Sequence, residues 1–497
     1  MSIRTYKDAI DRLNTLQSNA ATLEAVRASG GRQSEFAIPE MVEYLERIGY
    51  KQEDLNKLNV IHVAGTKGKG STSAFANSIL HHVKPDWKIA VRERIRINGT
   101  SLSEEEFAKY FFEVWDRLEM NDVRKFPQTP AKPAYFRYVT LVAFHTFLTL
   151  KVDATILEAG VGGTYDSTNI VPKPIVTGVS ALGIDHTAVL GKTLPEIAWQ
   201  KGGIYKEGVP ALTVNQPEEA LSVLKQQSID RKASEFSVIP ETPELADIKL
   251  GLAGVHQVQN ANLAVHLARK FLQTQDGFQP TAQLPKSFIA GLENARWPGR
   301  CQIVADPRYH NTTWFLDGAH TTESLDCCTR WFVSPEAALR PTTGKRRQRI
   351  LIFNCTSGRN GSSFLGTVLS NAAAQLKLYG SDEERDSFFT HVIFCTNVTY
   401  ADGGFKGGTD IDLTVKNDLA HLKTQQDLAT AWSSLVPSFP TQSIHVLPSI
   451  EHAIGLIREL ASTRDGDGDT NVDVLVSGSL HLVGGVIEVA GLSDVAL

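Results

Sequence analysis

At 497 residues the chain is too long for one hydrophobic core, and two domains are expected. Hydrophobic residues make up 42% and charged residues 21%, an ordinary globular balance, and the formal net charge of -5 withholds the basic field on which general nucleic-acid binding depends. Cys301, Cys327, Cys328, Cys355 and Cys395 include no C-x-x-C spacing, so neither a disulfide framework nor a structural zinc site is expected, and a reducing compartment fits.

Near the amino terminus Asp8, Asp11 and Glu24 stand among the basic residues, and there is no apolar signal core. Neither secretion nor a cleaved mitochondrial presequence is expected; the predicted compartment is the cytoplasm, any mitochondrial form coming from another isoform. Buried strands are predicted at residues 60–64, 154–157 and 175–179. Residues 139–150, the longest apolar run, contain His145 and are too short to span a bilayer; they predict a buried helix. Trp297-Pro298-Gly299 then breaks the pattern, and further strands are predicted at 314–316, 350–353, 391–395, 444–447 and 472–476. Strands alternating with helical patterns specify an α/β fold with parallel sheets. The expected division is a larger domain over 1–296, a hinge at 297–311 and a smaller Rossmann-like α/β domain over 312–497.

Two segments invite functional readings that the residues do not support. Lys345-Arg346-Arg347-Gln348-Arg349 imitates a localisation signal but is expected to be a solvated loop before a strand. Residues 465–469 imitate the start of an EF-hand, yet Thr470 stands where the turn needs Gly and Val476 where the bidentate acid belongs.

The strongest local signal is a buried strand running into Gly65-Thr66-Lys67-Gly68-Lys69-Gly70-Ser71 and then a helical pattern over 72–82. Free amides at a helix start can hold phosphates, Lys69 adds a point charge, and Ser71 offers a hydroxyl at the phosphate–magnesium end. This makes the first domain a P-loop ATPase-type domain. Gly70 departs from the usual Gly-Lys-Ser/Thr ending, and the segment alone also admits a glycine-rich turn without ligand. Gly160-Val-Gly162-Gly163 has Tyr165 where a dinucleotide fingerprint needs its last glycine. Glu158 closes an apolar strand, where open sheets place ligand groups and where an acid needs a cation. His186 and Lys201 read alone as a structural histidine and a surface lysine. Arg300 and Asp317, flanking the hinge, read alone as an ion pair.

The phosphate loop resembles that of the Mur ligase and folylpolyglutamate synthase superfamily. The folylpolyglutamate synthase branch is matched by Val91-Arg-Glu-Arg-Ile-Arg-Ile-Asn-Gly99, Ile156-Leu-Glu158-Ala-Gly-Val-Gly-Gly163, Tyr165-Asp-Ser-Thr-Asn169 and Leu182-Gly-Ile-Asp-His186. Ile197-Ala-Trp-Gln-Lys201-Gly-Gly203, Arg296-Trp-Pro-Gly-Arg300, Leu316-Asp317-Gly-Ala-His320 and Ser477-Gly-Ser-Leu-His481 match it too, as does Asn14-Thr-Leu-Gln17 near the start. The resemblance implies an ATP-dependent ligase that adds L-glutamate to the γ-carboxylate of tetrahydrofolate or folylpoly-γ-glutamate through an acyl phosphate. ATP, the folate and L-glutamate are the implied partners, with no nucleic acid and no membrane span, and a monomer is expected.

By the same resemblance Glu158 and His186 hold Mg2+ with Ser71, and Lys69, Lys201 and His186 act in catalysis, Lys201 as a carbamylated lysine. K+ is the candidate monovalent cation. Arg300, Asp317 and nearby His320 are implied to meet ATP from the second domain, the nucleotide lying between the two. Asn260, after His256-Gln257, is implied on the adenine side. Ser479 and His481 fit a glutamate site or a plain strand-to-helix turn. The other readings are a dihydrofolate synthase, an inactive nucleotide-binding homologue and a P-loop phosphotransferase.

One departure matters. The family places a Thr/Ser-Ser-Pro-His/Phe element before its Arg-Glu-Arg-Ile stretch, where the serine helps bind magnesium and the loop borders the folate. Here Trp87-Lys-Ile-Ala90 runs directly into Val91-Arg-Glu-Arg94, so no residue inherits either role, and weakened ligation with preserved ATP binding is expected.

Overall fold

Val60, Ile61, His62, Val63 and Ala64 are all buried and form β1 (Val60–Ala64), between a left-handed Asn59 and the glycine that opens the phosphate loop. The structure, a computed structural model, describes residues 4–16, 36–91, 95–127, 129–281, 283–341, 347–355, 360–401, 422–462 and 470–496. It divides into one unit of Met1–Gly251 with Gln257–Arg296 and another of Leu252–His256 with Trp297–Leu497.

In the first unit β1 is joined by β2 (Ile89–Val91), β3 (Arg96–Ile97), β4 (Thr100–Ser101), β5 (Ala154–Glu158), β6 (Val176–Val179), β7 (Pro210–Thr213) and β8 (Glu235–Val238). Their order is β4-β3-β2-β5-β1-β6-β7-β8, parallel from β2 to β8 with an antiparallel β3–β4 edge. From β1 the chain builds outward on the β5–β2 side and then returns to β6 on the other. The loops after β1, β5 and β6 therefore meet at a topological switch point, where such sheets bind ligands. Helix Lys69–Val83 packs against helices Gln257–Asp276 and Lys286–Asn294. The apolar run of 139–150 lies in helix Tyr135–Leu150, in one core cluster with aromatics such as Phe111 and Trp115.

The second unit holds β9 (Gln302–Ala305), β10 (Thr312–Leu316), β11 (Arg347–Phe353), β12 (His391–Cys395), β13 (Ile444–Leu447) and β14 (Asn471–Ser477). The order is β13-β12-β11-β14-β10-β9, parallel except for β9. Residues 297–311 thus include an edge strand, whose Ile303 is exposed and Val304 buried.

The basic run calls for a correction. Arg347 and Arg349 lie inside β11 instead of in a solvated loop. Asp473, fully buried on the central strand β14, takes Arg340 at 2.6 Å and Arg347 at 3.5 Å, while buried Arg349 pairs with Glu383. A buried carboxylate requires such cations. Gln17, residues 92–94, Lys345, Arg346 and 465–469 lie outside the described residues. All five cysteines are free thiols, and no described helix is long and apolar enough to cross a membrane.

Candidate active site

The loop after β1 is shaped by contacts that only glycine permits. Gly65 has φ +147°, and a Cβ there would stand 2.0 Å from Ser180 Oγ, at the end of β6. Gly68 has φ +82°, and a Cβ there would stand 2.0 Å from Asn260 Oδ1. Asn260 is buried and steadied by Gln257 at 2.9 Å, so the structure sets it directly against the phosphate loop. The amides of Thr66 and Lys67 both donate to the Ala181 carbonyl, at 2.9 and 3.0 Å. That narrows the cradle: the helix-start amides of Lys69, Gly70 and Ser71, pointing along the axis, are the ones suited to an anion.

Three cations and three carboxylates gather around this loop. Lys69 Nζ lies 4.0 Å from Glu158 Oε1, because register pairs Val63 with Glu158 across β1 and β5. Lys67 Nζ lies 3.7 Å from Asp185 Oδ2. Lys201, only 3% exposed, donates to the Gly65 carbonyl at 2.7 Å. Burial pushes its ammonium down to about 7; Lys69 adds to that, while Asp185 and Asp166 oppose it.

Local sequence explains how Lys201 arrives there. Thr193 and Glu196 form a capping box at the start of helix Leu194–Gly202, with Pro195 in its first turn. At the other end Gly163 and Gly203 let the helix close on residues 163–164. A Cβ on Gly203 would stand 1.9 Å from Thr164 Oγ1, and one on Gly163 would stand 2.9 Å from the Lys201 carbonyl oxygen.

His186 is exposed and in the left-handed region (φ 50°), its amide bound by Asp185 Oδ1 at 2.8 Å. Among the described residues no three His, Cys, Asp or Glu side chains gather in a metal-holding group. Ser71, buried in the first helical turn, and Glu158, facing that helix start, offer hard oxygen donors. So small a set suits Mg2+, which keeps waters and takes phosphate oxygens from its substrate. Ser180, Asp185 and Asp166 were not singled out from sequence; Asp185 and Asp166 sit inside the quoted Leu182–His186 and Tyr165–Asn169 stretches, and Ser180 has no signal beyond following a strand.

In the second unit Asp317 closes the turn after β10. Its Oδ2 accepts from the Cys301 amide at 2.7 Å and the Cys301 thiol at 3.3 Å, and its Oδ1 from the Ala319 amide at 2.9 Å. Cys301 is left-handed (φ 44°), so this carboxylate holds a strained residue next to Arg300. Burial pushes the Cys301 thiol up, and Asp317 adds to that, so sulfur remains a donor. A Cβ on Gly318 would stand 2.9 Å from Arg300 Nη1, which places Arg300 over the Asp317 turn. His256 lies in the same unit: burial lowers its pKa, Asp317 opposes this and Arg300 adds to it. His320 Nδ1 bonds the Gly318 carbonyl at 2.8 Å. Ser479 caps helix Leu480–Ala490, accepting from Leu482 at 3.4 Å, so the strand-to-helix turn accounts for it.

A curated folylpolyglutamate synthase of Saccharomyces cerevisiae (strain FostersO) is 42% identical over 515 residues, covering 99% of this chain and 88% of the relative. The chain belongs to the folylpolyglutamate synthase family. The relative from strain S288c is 41% identical over 514 residues, with 99% and 88% covered. Among solved structures, Mycobacterium tuberculosis folylpolyglutamate synthase complexed with ADP and AMPPCP superposes with TM-score 0.66 at 19% identity, covering 91% of this chain and 95% of that one. E. coli FolC in complex with DHPP and ADP gives 0.64 at 20% identity, covering 99% and 98%. These two show the fold: a pair of parallel-rich α/β domains. No family model matches the chain. Family membership makes this a ligase that adds glutamate to folates.

Proposed function

We propose that this ligase consumes ATP to join L-glutamate to the γ-carboxylate of tetrahydrofolate or folylpoly-γ-glutamate. The observation that carries the reading is the meeting of Gly65–Ser71, Glu158 and Lys201 at the carboxyl ends of β1 and β5. The ADP in the M. tuberculosis and E. coli structures supports ATP as co-substrate.

A carboxylate is a poor electrophile because oxide would have to leave. Phosphoryl transfer from ATP gives an acyl phosphate; the glutamate amine then forms the C–N bond as the C–O bond to phosphate breaks, and the amine loses its proton. Negative charge builds up in both steps, so fixed cations and amides dominate catalysis. Lys69 and the helix-start amides face the phosphates in this reading, and Ser71 with Glu158 holds magnesium. Magnesium, when bound, neutralises charge on the transferring phosphoryl. Lys201, with a pKa near 7, keeps a neutral amine in good supply at physiological pH, the form that CO2 carbamylates. Arg300, Asp317 and His320 of the second unit belong to the proposed ATP-binding set. His186 as a second metal position and K+ as a monovalent cation belong to the same proposal.

The test is ATP turnover with and without tetrahydrofolate and L-glutamate, the products sized by mass spectrometry. Products extended by several glutamates support the reading. A single addition to dihydropteroate alone makes the chain a dihydrofolate synthase, and ATP binding without product makes it a nucleotide-binding homologue.

A further inference from the structure

Glu158 is followed by Ala159-Gly160-Val161-Gly162-Gly163, a loop whose three glycines leave it a large conformational entropy to lose. Asp166 pins it: Oδ2 accepts from the Gly160 amide at 2.9 Å and the Val161 amide at 3.3 Å. Its Oδ1 accepts from the Thr168 amide at 2.9 Å and the Thr168 hydroxyl at 2.6 Å. Behind Thr168 lies His62, whose Nε2 is 2.9 Å from Thr168 Oγ1. His62 and Thr168 are fully buried and Asp166 is 5% exposed.

The proton order follows from chemistry. A carboxylate only accepts, so the Thr168 hydroxyl spends its one hydrogen on Asp166; its oxygen must then accept, and His62 carries hydrogen on Nε2. The bonds converge on Asp166: His62 Nε2–H donates to Thr168, Thr168 O–H donates to Asp166, and the two loop amides donate to Asp166 from its other side. His62 sits mid-strand in β1, the strand that delivers the phosphate loop, and its register partner on β5 is Leu157, next to Glu158.

We infer that His62 and Thr168 are positioning residues, which fix the loop behind Glu158 relative to the phosphate loop through Asp166. Neither touches substrate in this scheme. The inference rests on the proposed role of Glu158, but the wiring itself is independent of that role. Outer groups that orient a metal-side residue typically alter activity 10–100-fold when removed.

The experiment compares Thr168→Val, which keeps shape and loses the hydroxyl, with Thr168→Ser, which keeps the hydroxyl. Deuterium exchange of the peptide spanning 158–166 should quicken in T168V and stay native-like in T168S. In T168V kcat should fall at least about tenfold with KM for ATP changed less than about twofold, and T168S should restore kcat. His62→Leu should reproduce T168V. Unchanged exchange in T168V overturns the wiring. Quickened exchange with unchanged kcat overturns the positioning role, and equal impairment of T168S and T168V shows packing instead of the hydroxyl to be responsible. If the wild type ligates nothing, the exchange measurement still decides the wiring, and the Glu158 assignment fails separately.

Discussion

Lys201 makes folding depend on pH in a way that can be measured. Its ammonium is ordinarily lost near 10.5, but in the folded chain near 7, chiefly through burial. Below pH 7 both states hold the proton, and the fold bears the full cost of a charged amine in a nearly closed site. Between 7 and 10.5 the unfolded chain binds the proton that the folded chain has released, so stability rises with pH. The gap between 10.5 and about 7, at about 1.4 kcal/mol per pH unit, is about 5 kcal/mol in all. Roughly 2 kcal/mol of it returns between pH 7 and pH 9. Lys201→Met removes the titrating group and leaves the Gly65 carbonyl without its donor at every pH. Urea titrations of both proteins at pH 7 and 9, in carbonate-free buffer so that the amine stays unmodified, should therefore show the wild type gaining about 2 kcal/mol relative to K201M. A constant difference across that range would refute the assignment of a proton-poor lysine beneath the loop.

Lys69→Ala removes the cation 4.0 Å from Glu158 without touching the core, so ATP turnover should drop by roughly 100-fold or more at a nearly unchanged melting temperature. Near-normal turnover would make the loop decorative. Gly68→Ala forces φ +82° on a residue with a Cβ and drives that atom to 2.0 Å from Asn260; a loss of about 2 kcal/mol and weaker ATP binding by calorimetry should follow. Glu158→Gln keeps the shape and loses the charge, so the magnesium concentration for half-maximal activity should rise; an identical titration would return Glu158 to a purely structural pair with Lys69. Because Ile89–Val91 is a buried strand paired to β5, a Gly-Leu-Tyr-Thr-Ser-Pro-His-Leu segment meant to replace the missing element belongs after Val91. Its insertion should raise kcat for ligation more than ATP affinity, and equal kinetics before and after would show the element to be dispensable.

The strands legible in the sequence were short runs of apolar residues, buried throughout in β1 and only half-buried at the edge strand β13. β1, β12 and β13 match their predicted limits, and β5, β10, β11 and β14 extend theirs by one to three residues at an end. The strands that escaped notice have other signatures: β3 and β4 are two residues each, β7 begins on Pro210, and β9 keeps polar Gln302 and exposed Ile303 at an edge. The phosphate loop was legible because glycines, a lysine and a strand-to-helix transition coincide. Asp166 and Asp185 were not, since an isolated aspartate in a loop looks the same in sequence whether it faces solvent or anchors four donors. The arginines of β11 misled for the opposite reason: Arg347 meets Asp473 more than 120 residues away and Arg349 meets Glu383 beyond the next helix, and only the folded chain brings these charges together.

The close fit at Gly163 and Gly203 has a consequence for how mutational tolerance would map onto this chain. Neither residue has a side chain to offer chemistry, yet a methyl group at either position collides with backbone or with Thr164, and the helix bearing Lys201 would have to retreat. A saturation scan selecting for growth would therefore mark 163 and 203 as strictly as Lys69. Scored by tolerance alone, the map would draw an active site wider than the chemistry. The two classes separate under conservative exchange: lysine positions can be graded by arginine or methionine, whereas these glycines reject the smallest addition available. Where even alanine fails, the scan reports the distance between two segments of backbone.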